Sequence, residues 1–242
     1  AFSPACVNSS PITLSGGSPA GGNYSGTQVS SGIFNPQTAG AGTYLITYSY
    51  TDGNGCLNSA SSNITVNTLP VVTLASISPV CVNASPFTLS GGSPAGGTYS
   101  GTGVSSGTFN PSIPGTGTTN ITYTYSDANG CQSSASTSVT VNTIPTVTLA
   151  ALSPVCQNGS AVTLTGGSPS GGTYSGTGVS GNSFNPATAG AGTFTITYSY
   201  TNASGCSGTG TNTVTVNPTP SVTLTTPASA CVNGSPITLT GG

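Results

Sequence analysis

The sequence predicts an all-β protein: a tandem array of small antiparallel β-sandwich modules that repeat about every 75 residues, with one disulfide each. Three observations lead there. Cys6, Cys81, Cys156 and Cys231 stand at equal intervals, and Cys56, Cys131 and Cys206 keep the same step. The stretches between them repeat in register, so that SGGSPAGGNYSG at Ser15 returns as SGGSPAGGTYSG at Ser90 and TGGSPSGGTYSG at Thr165. Apolar residues alternate with polar ones at the two-residue period of a half-buried strand, and no stretch shows a 3.6-residue period. A long, regular period marks an array of small domains, a design that gives length or multivalency.

The middle copy shows the elements in order. Val71 to Ala75 is a β-branched run entered through Pro70, and Phe87 and Leu89 alternate with Thr88 and Ser90. The Gly-Pro cluster from Gly91 reads as a turn, because Gly and Pro supply unusual or fixed φ angles. Thr98 to Ser100 and Thr108 to Asn110 are short strands around a second Gly-rich turn. Thr118 to Ser126 is the clearest element, with Ile121, Tyr123 and Tyr125 on one face and Thr122 and Thr124 on the other. Asp127-Ala-Asn-Gly reverses the chain, and Cys131 opens the last strand, with Thr137, Val139 and Val141 inward. Ile46, Tyr48 and Tyr50 keep this phase in the first copy, as do Ile196, Tyr198 and Tyr200 in the third.

Boundaries fall at Val-Asn-x-x-Pro. They give a first repeat over 1–69 that lacks its first strand, a second over 70–144, a third over 145–219, and a partial fourth over 220–242 with the first strands only. Short proline-bearing joints restrict bending, so a stiff rod is expected. The Val-Thr-Leu strand leaves three options: a fragment out of phase with its modules, a strand that belongs to the preceding module, or an incomplete module that accepts a strand from a neighbouring chain. With neither a starting Met nor a leader, the sequence reads as a mature or excised piece of something longer.

Cysteine spacing points to an oxidising compartment. Each full repeat holds two cysteines, which suggests Cys6–Cys56, Cys81–Cys131 and Cys156–Cys206, with Cys231 left unpaired. The rival pairing, Cys56–Cys81 and its equivalents, would staple neighbouring modules and leave Cys6 alone. For a module of this size, whose single core is marginal, a disulfide is a large share of stability.

Composition excludes more than the motifs include. The chain has no Lys, Arg or His and only two acids, Asp52 and Asp127. Nucleic-acid binding therefore lacks its electrostatic basis, and so does attraction to anionic lipid. Nothing approaches the roughly 20 apolar residues that span a bilayer, so no membrane insertion is expected. Metal ligands and acid–base pairs are missing, so no cofactor, no metal and no enzymatic activity are expected. The Asp-x-Asn-Gly turns invite a calcium reading, but Asp and Asn favour tight turns by themselves, and the third copy has Asn202 instead of an acid. Rows of Thr and Ser, such as Thr47, Ser49, Thr51 and Thr122, Thr124, Ser126, could meet surface glycans, yet solvent-facing strands prefer such residues anyway.

PVCVNASPFTLSGG, GGTYSGTG and ITYTYSDANGC followed by STSVTVN resemble the immunoglobulin-like repeats of very large secreted proteins of Bacteroidota. Those proteins are exported by the type IX secretion system and associated with cell-surface adhesins. The resemblance covers the whole chain and implies scaffold repeats, with Tyr24, Tyr99 and Tyr174 structural. It implies an extracellular location, secreted or attached to the cell surface. Near-zero net charge removes the repulsion that keeps proteins apart, and a chain without Lys or Arg offers trypsin-like proteases no cleavage site. The expected function is a structural segment of a surface adhesin, forming a stiff stalk or fibre whose partners are neighbouring repeats. A self-assembling extracellular filament with lateral packing or strand exchange is the alternative, and a glycan-binding module is a third reading.

Overall fold

The Tyr-rich runs form the longest strands, as their alternation predicts. In a computed structural model that describes residues 1–224, 226 and 229–236, the chain divides into two compact units, Ala1–Thr143 and Ile144–Gly242. The first unit holds two long hairpins, Gly42–Thr51 with Leu57–Asn67 and Gly117–Ser126 with Gln132–Asn142. The second holds one, Gly192–Thr201 with Ser207–Asn217. Ile46, Ile64, Ile121, Val139, Ile196 and Val214 are buried on one face of the hairpins, while the other face is half-buried to exposed and mostly Thr and Ser.

Each hairpin is the centre of a four-stranded sheet. One edge is a short antiparallel strand that sets tyrosine opposite tyrosine: Tyr24 across from Tyr48, Tyr99 from Tyr123, Tyr174 from Tyr198. The other edge is the cysteine-bearing opening segment, and it runs parallel. Cys6 pairs with Asn67, Cys81 with Asn142, and Cys156 with Asn217. The sandwich is therefore not wholly antiparallel. A tight turn follows, with Ser9 N donating to Cys6 O at 2.9 Å, and carries the chain into a second, three-stranded sheet such as Ile12–Thr13, Ile33–Phe34 and Val29–Ser30.

Between the sheets lie the cores. Those of the first unit comprise Leu14, Phe34, Ile46, Ile64 and Val66, and Leu89, Phe109, Ile121, Val139 and Val141. The second unit packs Leu149, Leu164, Phe184, Ile196, Tyr198, Val214 and Val216. The architecture is all-β, with the cores packed between a four-stranded and a three-stranded sheet.

Two small elements lie outside the sequence expectation. Pro36–Ala39 and Pro186–Ala189 are single helical turns, capped by Asn35 and Asn185, whose side chains accept from the backbone N–H two residues on. An Asn cap followed by Pro at the first helical position is their signature. The Val-Thr-Leu strand goes with the core that follows it. Thr73–Leu74 pairs with Gly92–Ser93, and Thr148–Leu149 with Gly167–Ser168. After Pro220, Val222 and Leu224 are exposed and form no strand. The strand expected at Ile237 and Leu239 lies outside the described residues.

The cysteine pairing corrects the sequence reading. Cys6 is bonded to Cys131, 125 residues away, with Cα atoms 5.5 Å apart. Cys81 and Cys206 are also disulfide-bonded, whereas Cys56, Cys156 and Cys231 are free and exposed. Neither Cys6–Cys56 nor the rival Cys56–Cys81 is present. The parallel strand explains why. Leu57–Asn67 is 11 residues long, so Cys56 at its start lies about 36 Å from Cys6 at its end, at about 3.3 Å per residue. A disulfide needs Cα atoms within about 7 Å. The same geometry separates Cys81 from Cys131 across Gln132–Asn142, and Cys156 from Cys206 across Ser207–Asn217.

Candidate functional site

Two tyrosines of each copy are committed to backbone. Tyr123 Oη accepts from Gly97 N at 2.7 Å and donates to Pro94 O at 2.5 Å. Tyr99 Oη accepts from Gly92 N at 2.9 Å, and the two rings meet at 4.7 Å. Tyr24 with Tyr48 and Tyr174 with Tyr198 repeat the arrangement. Each pair clamps the Gly-Gly-Ser-Pro loop, whose Ser-Pro bond is cis in all three copies. These tyrosine hydroxyls are thereby occupied. Part of the outward hydroxyl rows is paired as well: Thr47 with Ser61 and Thr122 with Ser136, both at 2.9 Å.

The acidic turns are built by one oxygen. Asp52 Oδ1 accepts from Asn54 N at 2.8 Å and Cys56 N at 2.9 Å, and Asp127 Oδ1 from Asn129 N and Cys131 N. Asn202 Oδ1 does the same for Ser204 N and Cys206 N. A side-chain carbonyl is thus sufficient, and charge is incidental to the turn. The N–H of Cys56, and then that of Asn54, hold the Asp52 carboxyl below its ordinary pKa. A lowered folded-state pKa gives stability present above the unfolded-state value and lost as pH falls through the lowered one. Asp52→Asn, which keeps the accepting oxygen but not the charge, is accordingly expected to lower the thermal midpoint slightly at neutral pH and to remove this turn's share of acid sensitivity. Thermal melts of both chains between pH 7 and pH 2 check it.

What remains as a site is the junction of consecutive repeats in the first unit. Two elements position its bond. Cys6 sits beside Asn67, at the trailing end of the first long hairpin, where its N–H donates to Ser9 Oγ at 3.0 Å. Cys131 follows the turn at the leading end of the next, fixed by Asp127 on both its N–H and its carbonyl. The bonded Cys131 is wholly buried, while Cys56, on the same kind of turn, is exposed and free. The spacing of Cys6 from Cys131 was present in the sequence, but only the parallel pairing shows which end of its module each cysteine occupies. Among the described residues no group of three or more His, Cys, Asp or Glu side chains could hold a metal ion. No helix of the described residues is long and apolar enough to cross a membrane.

No protein-family model matches the sequence, and no curated protein matches it. Solved structures do. One is described as a Ca2+-stabilized adhesin that helps an Antarctic bacterium reach out and bind ice, with 18% identity over 79% of this chain and a TM-score of 0.35. This chain spans 60% of that structure's length. A second comes from a 1.5-MDa bacterial ice-binding adhesin, at 16% identity, 73% of this chain, 74% of that one and a TM-score of 0.33. A tandem from titin aligns over 89% of this chain and 96% of its own, at 13% identity and a TM-score of 0.31.

Proposed function

We propose that the chain is a structural repeat segment of an extracellular cell-surface adhesin, and that it serves as a stalk which holds other domains away from the cell. The Cys6–Cys131 bond carries this reading. A bond within a module would stabilise that module alone. A bond from one module to the next resists their separation and bending, which is what a stalk under load requires. The committed tyrosine hydroxyls and a surface with only two charged side chains support a scaffold rather than a catalyst or a ligand site. Secretion by a bacterium of the Bacteroidota through the type IX system is the route that the sequence resemblance implies.

Electron microscopy of the oxidised chain at low micromolar concentration tests the reading. Three modules end to end, at about 33 Å for a ten-residue strand, give isolated rods on the order of 100 Å. Compact particles, or selective binding of the chain on a glycan array, would overturn it.

A further inference from the structure

The three repeats share one backbone position at which their side chains differ in size. Ile12, Phe87 and Val162 stand one repeat apart, and each lies across its short sheet from a buried phenylalanine: Ile12 from Phe34, Phe87 from Phe109, Val162 from Phe184. Ile12 and Phe87 pack against the cores of their repeats. The Phe87 ring meets Phe109 edge-on, with centroids 5.7 Å apart. Val162 is too short to do the same and is 40% exposed. Here the core of the third repeat opens to solvent through a pocket of about 250 Å³. Val162, Leu152, Leu164 and Phe184 line it, with Ser153 and Thr163 exposed beside them.

The opening follows from the side chain and not from a difference in cover. The flanking segment is equally exposed in the second repeat: Ile77 and Leu152 are both half-buried, as are Val80 and Val155, and Ser78 and Ser153 are both exposed. Among the lining residues the one large change between the two repeats is valine for phenylalanine. The second repeat therefore shows what the space accepts. It is an aromatic ring set edge to face on a buried phenylalanine, an arrangement that aromatic pairs favour. Cavities of about 150 Å³ with Leu, Ile and Phe walls already hold a benzene molecule, so this pocket has room for a ring with a small substituent. The strand at its mouth, Val162–Thr163, is two residues long, too short to hold an added peptide strand by main-chain hydrogen bonds. With no Lys, Arg or His in the chain and no carboxylate among the lining residues, the pocket suits an uncharged ligand.

We propose that the third repeat binds a small, uncharged, monocyclic aromatic molecule of the benzyl alcohol or phenol class, whose ring takes the place beside Phe184 that Phe87 fills beside Phe109. Burial against Phe184, Leu152 and Leu164 holds the ring, and its polar substituent reaches the Ser153 and Thr163 hydroxyls at the rim. For a ligand of about eight heavy atoms this gives a dissociation constant on the order of 1 mM. The inference goes beyond the stalk reading, because it gives one repeat of the array a ligand that its neighbour, with the ring built in, does not take. The tyrosine clamps play no part in it.

The test titrates the full 242-residue chain, oxidised and isotope-labelled at its leucine and valine methyls, with benzyl alcohol, and follows the methyl chemical shifts. Saturable shifts are expected at Leu152, Val162 and Leu164 and not at Leu89, the counterpart of Leu164 in the second repeat. Methyl glucoside, which carries hydroxyls and no aromatic ring, leaves all of them unmoved. Val162→Phe places the ring on the chain and weakens binding by about tenfold or more, as expected when the apolar surface is already covered. Phe87→Val opens a second site, seen as new saturable shifts at Leu89. A parent chain without saturable shifts, undiminished affinity in Val162→Phe, an equal response to methyl glucoside, or a folded Phe87→Val that gains no site would each overturn the proposal. Should Phe87→Val unfold the first unit, the parent chain and Val162→Phe decide it alone. A chain that binds no ring and images as an isolated rod leaves the stalk reading standing, so the two failures are distinguishable.

Discussion

Cys131→Ala is expected to lower the stability of the first unit by roughly 3–5 kcal/mol, whereas Cys56→Ala changes it by less than about 0.5 kcal/mol. The bond closes a loop of 125 residues, and in the chain-entropy model a loop of that length restricts the unfolded chain by roughly 5 kcal/mol. Folded-state effects bring the measured value below that ceiling. Each module has a small core and gains proportionally more from a crosslink than a large domain would. Cys56 occupies the same turn as Cys131, is exposed and carries no bond, so its thiol contributes nothing comparable. Urea unfolding followed by tyrosine near-ultraviolet dichroism gives both numbers, and dithiothreitol treatment of the parent chain should lower the midpoint at least as far as Cys131→Ala, since it also reduces the bonded Cys81 and Cys206. If Cys56→Ala costs as much as Cys131→Ala, the bond runs within the repeat and the junction is lost.

This junction marks the limit of what the sequence could say. Alternation found the long strands because both faces of a hairpin read directly as polar and apolar residues, and the observed Gly117–Ser126 begins one residue before the expected strand. Turn chemistry found the reversals because Asp127 and Asn202 act through a local side-chain oxygen. The pairing of the cysteines is different in kind. It depends on which end of a module each one occupies, and that is fixed by a two-residue parallel contact, Ala5–Cys6 against Val66–Asn67, which has no periodicity to read. The interval from Cys6 to Cys56 reads as a module's own bridge, while the final strand places those two cysteines at opposite ends. The Val-Thr-Leu strand was half legible: the β-branched run was visible, but not that Thr73–Leu74 pairs with Gly92–Ser93 inside what reads as a turn.

The tyrosine clamp gives the second large effect. Tyr123→Ala is expected to cost about 3–5 kcal/mol, because a nearly buried aromatic ring is lost. Tyr123→Phe should cost about 1–3 kcal/mol, since the ring remains but Gly97 N–H and Pro94 C=O lose their shared partner. The ring also dictates its neighbour. A Cβ on Gly92 would stand 2.6 Å from Tyr123 Cδ2, too close for either to stay in place, so Gly92→Ala alone should cost about 1–3 kcal/mol by overpacking. Once the ring is removed, that methyl has room. The double variant Gly92→Ala with Tyr123→Ala should therefore be more stable than the sum of the single losses by about 1 kcal/mol or more. Additive losses in a denaturant double-mutant cycle would mean that Gly92 is required for the backbone alone. Coupling would show that the glycine at this position, and at Gly17 and Gly167 over Tyr48 and Tyr198, exists to let a tyrosine lie flat on the loop.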